Sequence, residues 1–143
     1  MTFPELPERD RKRIIAWNLH PLLLETYLKI QPAMTAFGAP VFLVYVGRTV
    51  AEQQALYAKG RTAPGRIVTY TDGVQKRSKH QLQTDGYVHA IDFAFMDDPR
   101  TPRDETWDTD MPWAVVGAMG EYAGLTWGGR WKMLDLGHLE IKA

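Results

Sequence analysis

The sequence predicts an α+β domain, in which a small, mostly antiparallel β-sheet is covered by helices on one side. Segments typical of strands occur at residues 41–46, 87–96 and 138–142. The predicted helices are segregated from these strands rather than alternating with them, which argues against a parallel sheet. Because 143 residues suit one folding unit, we expect a single domain spanning residues 1–143.

Composition and charge are those of an ordinary globular protein. The apolar fraction is 45% and the charged fraction 24%. Seventeen basic and seventeen acidic residues give a formal net charge of zero, so we expect no nucleic-acid partner. No apolar run reaches transmembrane length, and no apolar stretch follows a basic start, so we expect no membrane segment and no secretory signal. A monomer that accumulates in the cytoplasm is the expectation.

The first forty residues are predicted to form two helices. A short charged helix covers residues 7–17. Pro21 begins a second helix over residues 22–37, which Pro32 is expected to kink or end. We interpret His20 as structural, because a residue before proline is biased away from helical geometry.

A buried strand and a capped helix follow. The continuous apolar run at residues 41–46 predicts the strand. Thr49 and Glu52 form a capping box that opens a helix running through Lys59 and closed by Gly60. The next segment is polar, with one short strand predicted over residues 67–70.

Residues 87–96 alternate in a way that predicts a strand with two different faces. One face carries Val88, Ala90, Asp92, Ala94 and Met96, and the other carries His89, Ile91, Phe93 and Phe95. The small neighbours of Asp92 leave room for an ion or a substrate above its carboxylate. The aromatic face is expected to pack against another layer, and His89 on that face cannot easily share a metal ion with Asp92.

An acidic loop and a helix complete the predicted elements. Residues 97–110 are dense in Asp, Thr and Pro but lack the calcium-loop signature. Asp110 is predicted to cap a helix over residues 111–122, with Pro112 in its first turn and Gly124 after it. Core candidates here are Trp107, Trp113, Val116 and Met119.

Three candidate metal ligands lie in separate parts of the chain. His80 occupies a polar loop that can fold back toward Asp92, and His138 stands at the start of the last predicted strand. Three ligands of this type leave a fourth position for water, as in catalytic zinc sites. Because the chain has no cysteine, a thiol nucleophile is excluded and a metal-activated water is the simplest chemistry.

Such a water needs a base and a group that stabilises the oxyanion. Asp135, three residues before His138, is a candidate base, and Arg48 is a candidate oxyanion partner. Glu140 shares the His138 face of the strand. It is therefore an alternative base, or a residue that orients a ligand histidine from behind. Spacing alone does not decide between Asp135 and Glu140.

Four motifs occur in a fixed order between residues 18 and 143. Ser78, His80, Gly86, Ala90 and Asp92 match S-x-H-x-x-G-x-A-x-D with extra residues inserted. Asp135 and His138 match D-x-x-H, and the W-G-G-x-W segment before it is Trp127, Gly128, Gly129 and Trp131. Arg48, Thr49, Glu52, Gln53, Leu56, Tyr57 and Gly60 match R-[ST]-x-x-E-Q-x-x-L-Y-x-x-G. Together they resemble the family of zinc D-alanyl-D-alanine carboxypeptidases and dipeptidases and phage L-alanyl-D-glutamate endopeptidases, the peptidoglycan endolysins.

The resemblance implies the hedgehog-like fold of D-alanyl-D-alanine carboxypeptidases and roles for individual residues. It implies Zn²⁺ as cofactor, with His80, Asp92 and His138 as its ligands. It favours Asp135 as the base. His80 and Asp92 are twelve residues apart where the short family form has seven, which leaves His89 as a rival ligand. The longer loop is tolerable, because loop closure becomes only slowly more costly with length.

The resemblance also implies substrate contacts. Arg48 would hold the scissile carbonyl or a substrate carboxylate, for which a forked, permanently charged guanidinium is suited. Ser78 and Gln53 would bind substrate, although a turn for Ser78 and packing for Gln53 are the alternatives. Trp127 and Trp131 either wall the site or serve as packing.

The implied function is hydrolysis of an amide bond in the bacterial peptidoglycan stem peptide, with L-alanyl-D-glutamate as the expected bond. The alternatives are a D-alanyl-D-alanine carboxypeptidase and a non-catalytic, zinc-containing wall-binding module. The joint presence of Asp135 and Arg48 argues against the module, because a binder has little reason to keep a base. The missing export signal favours a lytic enzyme that reaches the cell wall after release.

Overall fold

The computed structural model describes residues 1–96, 105–106 and 109–142. The helices are α1 (Glu8–Trp17), α2 (Pro21–Phe37), α3 (Val50–Ala58) and α4 (Trp113–Tyr122). The strands are β1 (Val41–Tyr45), β2 (Ala90–Met96), β3 (Glu105–Thr106), β4 (Leu125–Trp127) and β5 (His138–Ile141). Short 3₁₀ turns cover Phe3–Glu5 and Gly128–Arg130.

The strands form one antiparallel sheet with the order β1-β2-β5-β4, and the two-residue β3 pairs with the end of β2. The β2 strand is therefore flanked on both sides, and both of its faces are mostly buried. The prediction of an α+β domain with a small antiparallel sheet is confirmed.

Helix α4, with α2 packed against it, covers the aromatic face of β2, and α1 lies along the edge of β1, where Asp10 and Arg13 bond the Leu43 backbone. Ile91, Phe93 and Phe95 on this face are almost completely buried. The Trp113 ring, at the start of α4, lies 5.8 Å from the Phe93 ring and 4.8 Å from the Phe95 ring. The α1 and α2 helices pack against β1, and α2 also contacts α4. The candidate metal and catalytic site lies on the opposite face of β2, which carries Asp92.

A buried carboxylate ties the first two helices to β1. Asp10 accepts a hydrogen bond of 2.6 Å from the Tyr27 hydroxyl and one of 2.9 Å from the Leu43 backbone amide. Burial raises the pKa of Asp10, while these two donors partly offset the effect. The helical layer and the sheet edge are thereby fixed to each other.

Some of the predictions for individual elements are corrected. The α2 helix ends at Phe37, as predicted, with Gly38 in the left-handed conformation, and it passes through Pro32, so Pro32 does not end it. Residues 67–70, which are described in full, form no strand, and Ile67 and Tyr70 are exposed. A strand needs a partner for its backbone groups, and the polar surroundings of this segment provide none.

The start of α4 and the loop before it also differ from prediction. The helix begins at Trp113 with Pro112 at its N-cap, so Asp110 is not the cap. The two-residue β3 interrupts the predicted loop at residues 97–110. The rest of that loop before residue 109, including Trp107, lies outside the described residues. Among the helices that are described, none has the length and apolar content needed to cross a membrane.

Candidate metal and catalytic site

Strand pairing brings Asp92 and His138 together. They are directly opposite each other in the β2–β5 ladder, so their side chains leave the sheet on the same face. The distance from His138 Nδ1 to Asp92 Oδ1 is 2.9 Å. The two residues are 46 positions apart in sequence, and the register of the sheet alone determines their contact.

A turn places His80 against the same carboxylate. The His80 backbone amide donates to Ser78 Oγ at 3.2 Å, and its carbonyl accepts from the Arg48 amide at 2.8 Å. His80 Nε2 lies 3.2 Å from Asp92 Oδ1, and the His80 and His138 rings meet edge to face at 5.2 Å. The structure thus brings together the three residues predicted as metal ligands.

Each imidazole also has a partner on its far side. His80 Nδ1 lies 2.8 Å from the Val46 carbonyl oxygen, which can only accept, so the ring proton belongs on Nδ1 and Nε2 is free. His138 Nε2 lies 2.8 Å from Glu140 Oε1, which leaves Nδ1 as the free nitrogen. Glu140 therefore lies behind the His138 ring, a position that suits orientation of the imidazole better than action as a base.

The donor set fits a zinc ion. One nitrogen of each ring and one Asp92 oxygen all lie within 4.8 Å of one another. Tetrahedral zinc with these ligands requires donor separations of roughly 3.3 Å, and the two nitrogen–oxygen distances of 3.2 and 2.9 Å are near that value. The side chains of His80 and His138 are only 4% and 6% exposed. His89 does not belong to this cluster.

The site groups alter one another's protonation. Burial on its own raises the pKa of Asp92, but the adjacent imidazoles outweigh it and hold the pKa well below its usual range. Burial lowers the pKa of His138, yet its hydrogen bonds to Asp92 and Glu140 dominate and raise the value to about 9. Without a metal, the cluster is thus a carboxylate paired with a protonated imidazole.

Asp135, the predicted base, stands at the rim of the cluster. Its Oδ2 atom lies 3.8 Å from His138 Nδ1, and its side chain is 47% exposed. Partial burial, together with the negative charge of Asp92, raises the pKa of Asp135. A Cβ atom on Gly128 would come within 2.4 Å of the Asp135 carbonyl oxygen, so glycine is required for the chain to pass this closely.

Arg48 is held by a residue that was predicted to contact substrate. Gln53 is fully buried, and its Oε1 atom accepts a hydrogen bond of 2.7 Å from Arg48 Nη1. Gln53 Nε2 donates to the Thr71 carbonyl at 2.8 Å. The prediction of direct substrate binding by Gln53 does not fit this placement, because both ends of its amide are already paired inside the protein. Arg48 itself is half-buried.

The remaining predicted residues divide between wall and scaffold. The Trp131 ring lies next to the His138 ring, with centroids 4.9 Å apart and planes tilted by 47°, a position that suits a wall of the site. Trp127 is buried and donates from Nε1 to the Leu136 carbonyl at 2.8 Å, which is packing. Ser78 accepts from the His80 amide and so forms the predicted turn.

Sequence reasoning missed the backbone partners. His80 bonds the Val46 carbonyl and Gln53 bonds the Thr71 carbonyl. Any residue type at positions 46 and 71 offers a carbonyl, so these two bonds depend on the path of the backbone and not on side-chain type. The position of Val46 at the end of a predicted strand was the available signal.

Comparisons with known proteins identify the family and the fold of the chain. A family profile described as D-alanyl-D-alanine carboxypeptidase matches residues 72–141. Peptidoglycan L-alanyl-D-glutamate endopeptidase CwlK of Bacillus subtilis (strain 168) is 30% identical over 125 residues, which are 87% of this chain and 74% of that protein. The crystal structure of the Serratia marcescens L-Ala D-Glu endopeptidase ChiX matches with a TM-score of 0.62 at 21% identity, covering 96% of this chain and 89% of that one. At that identity ChiX supports the fold alone.

Proposed function

Since the chain belongs to the family of zinc D-alanyl-D-alanine carboxypeptidases and L-alanyl-D-glutamate endopeptidases, we propose that it hydrolyses the L-alanyl-D-glutamate bond of the peptidoglycan stem peptide. The chain is a metallopeptidase of that family. The observation that carries the proposal is the His80, Asp92 and His138 cluster with Asp135 at its rim. The choice of bond is supported by the 30% identity to a peptidoglycan L-alanyl-D-glutamate endopeptidase.

We assign the zinc ligands as His80 Nε2, His138 Nδ1 and an oxygen of Asp92. Val46 and Glu140 occupy the other nitrogen of each ring, so these two nitrogens are the ones turned toward an ion, and His138 gives up its second proton when the ion binds. A zinc ion held there would polarise the scissile carbonyl and lower the pKa of a water toward neutrality. The nearly closed surroundings of the two rings strengthen these electrostatic effects.

Asp135 is the proposed general base and acid. Its carboxylate is close to the cluster and partly open to solvent, so it can take a proton from the attacking water and return it to the leaving amine of D-glutamate. The raised pKa of Asp135 favours this exchange, because a base works best when its pKa approaches the working pH. Glu140 is occupied by His138 and is not needed for the transfer.

Arg48 is the proposed electrostatic partner of the carbonyl oxygen. Gln53 binds one of its nitrogens, which leaves the other guanidinium donors available to an oxyanion or a carboxylate. The positive charge of Arg48 is near enough to act on the pKa of Asp135. Trp131 and Ser78 are then placed to border the bound peptide.

Removal of a terminal D-alanine is the second candidate, favoured by the description of the matching family profile. The two reactions use the same residues and differ in the group on the carboxyl side of the cut bond. An endopeptidase must accept a chain on both sides of the bond, whereas a carboxypeptidase must recognise a free carboxylate.

The products released from purified peptidoglycan by the zinc-loaded protein decide between the two. Mass spectrometry is expected to show a new L-alanine carboxyl end on the glycan and a free D-glutamate amine, both abolished by a chelator. Loss of D-alanine alone would establish the carboxypeptidase. Chelator-insensitive products, or none on several wall types, would contradict the assignment.

We also propose a bacteriolytic role, in which the protein accumulates in the cytoplasm and reaches the cell wall only after release. The resemblance of the four motifs to those of the phage endolysins supports this proposal. Expression alone should leave cells intact, and lysis should begin only when the inner membrane is permeabilised. Lysis without permeabilisation would contradict the proposal.

A further inference from the structure

The four histidines of the chain form two pairs, and an aspartate completes each. The pair at the proposed catalytic site is His80 and His138. The other is His20 and His89, whose rings meet edge to face at 5.1 Å, nearly the 5.2 Å of the first pair. Asp85 Oδ2 lies 2.7 Å from His89 Nε2. One nitrogen of each ring and one Asp85 oxygen lie within 4.8 Å of one another.

We propose that His20, Asp85 and His89 form a second binding site for a divalent transition-metal ion such as zinc. Two imidazoles and one carboxylate are donors that zinc, cobalt, nickel and copper share. Asp85 is exposed and both histidines are half-buried, so an ion can enter from solvent without any opening of the core. Asp85 Oδ1 accepts from the Tyr87 amide at 3.0 Å, which fixes the carboxylate with Oδ2 toward His89.

Two of these three residues come from the longer segment between His80 and Asp92. The spacing is twelve residues where the short family form has seven. The proposed hydrolysis assigns no role to Asp85 or His89. The longer segment thus supplies two of the three ligands of the second cluster.

The third ligand is held in place by backbone pairing. The His20 amide donates to the Val88 carbonyl at 3.0 Å, and the Val88 amide donates to the Asn18 carbonyl at 3.1 Å. These bonds lock the start of α2 beside the end of the longer segment. An ion bound there would join the two segments and brace the turn that carries His80.

The second site is expected to bind more weakly than the first. His20 Nδ1 accepts from the Leu22 amide at 3.1 Å, so the proton of the neutral ring sits on Nε2. Binding through Nε2 moves that proton to Nδ1 and sacrifices the capping bond of α2. The ion also replaces the proton shared by His89 Nε2 and Asp85. An ion at the first site also displaces a proton, the one shared by His138 and Asp92, but neither imidazole there has to give up its hydrogen bond to Val46 or Glu140.

Zinc stoichiometry tests the proposal. The full chain, stripped by a chelator and dialysed, is titrated with zinc chloride and followed by calorimetry and native mass spectrometry. We expect two ions per chain, one tight and one weaker, and only the tight one in Asp85→Asn and His89→Gln. Asp72→Asn is the matched control, because Asp72 Oδ1 accepts from the Val74 amide in the same type of turn. It should keep both ions.

A single ion in the wild type at saturating zinc would overturn the proposal, and so would two ions in both Asp85→Asn and His89→Gln. His80→Ala separates this proposal from the proposed hydrolysis, because it should lose the tight ion and turnover but keep the weaker ion. Asp85→Asn should keep turnover on peptidoglycan. Two ions without any turnover in the wild type would contradict the hydrolysis alone.

Discussion

Each buried imidazole of the proposed catalytic site has one nitrogen committed to the protein, and this decides which nitrogen is available to an ion. Val46 holds His80 through a backbone carbonyl, whereas Glu140 holds His138 through a carboxylate. The two partners differ in charge. The carboxylate is anionic and makes the imidazole more basic, whereas the neutral carbonyl has a smaller effect. His138 is therefore the ligand whose affinity for zinc depends most on a neighbouring side chain.

Asp135→Ala separates proton transfer from metal binding. We expect turnover to fall by about 10²–10⁴-fold, because a positioned base contributes on that order. Zinc content should be unchanged, since Asp135 is not among the three donors. Steady-state kinetics on soluble stem peptides and metal analysis check both statements. If this variant kept wild-type turnover, the general base would have to be another group.

Glu140→Ala should give the opposite pattern. Loss of the partner of His138 Nε2 is expected to weaken zinc binding by about 10–100-fold. At saturating zinc, turnover should largely recover. Competition with a chromophoric chelator measures the affinity. An unchanged zinc affinity combined with lost turnover would instead identify Glu140 as the base.

At the scale of elements, the β2–β5 ladder and the Gly128–Arg130 turn position the site. The ladder fixes Asp92 opposite His138. The turn brings Asp135 back, because the Asp135 amide donates to the Gly128 carbonyl at 3.0 Å while its own carbonyl passes over the glycine. The base is thus positioned by backbone packing rather than by a side-chain contact.

Gly128→Ala tests this positioning. Its Cβ atom would clash with the Asp135 carbonyl, so the segment must shift and turnover should fall at least tenfold with zinc still bound. Gly120→Ala is the control, because the nearest atoms to its Cβ belong to the Leu139 side chain rather than to the backbone of the Asp135 segment. The control should change thermal stability more than turnover. Equal losses of turnover in both variants would contradict a specific role for Gly128.

The elements also show how far the sequence predicts this structure. Strands β1, β2 and β5 and the capping box of α3 were predicted, since alternation and capping are local signals. The sequence predicted the end of α2 at Phe37 but did not decide whether Pro32 would end the helix earlier; packing of the helix against β1 and α4 outweighs the one lost hydrogen bond. The predicted strand at residues 67–70 was wrong, because propensity does not supply a pairing partner.

The candidate site was predictable in its side chains but not in its supports. His80, Asp92, His138 and Asp135 could be named from motif spacing, and the structure brings them together. The burial of Gln53 could not be read from its motif, because substrate contact and support of Arg48 both require the same amide. Only the three-dimensional path of the segment at Thr71 distinguishes them.

For the molecule as a whole, the charges of the metal-free site link folding to pH. The pKa of His138 is raised from 6.5 to about 9 in the folded protein. Its protonation therefore stabilises the fold fully below about pH 6.5, and this contribution is lost as the pH rises through about 9. The pKa of Asp92 is lowered in the folded protein, so its ionised carboxylate stabilises the fold at neutral pH. This stabilisation is lost when strong acid protonates the carboxylate.

We expect the free energy of unfolding of the chelator-treated protein to decrease by up to about 3 kcal/mol between pH 6.5 and 9. Urea unfolding at several pH values measures this. His138→Gln should flatten the profile, because the titrating group is removed. Zinc affinity should rise over the same interval, since the ion displaces a proton from the imidazole. A flat profile in the wild type would contradict the ion pair.

The separation of 46 positions between Asp92 and His138 has a consequence for the timing of assembly. Contacts between distant residues are made late, because closing a long loop costs entropy before any pairing energy is gained. A chain still on the ribosome has His80 and Asp92 long before β5 can dock, so it cannot bind zinc through all three residues. We expect helix formation to precede zinc capture in stopped-flow refolding. The protein is then inert throughout its synthesis and gains its hydrolytic capacity in one final step.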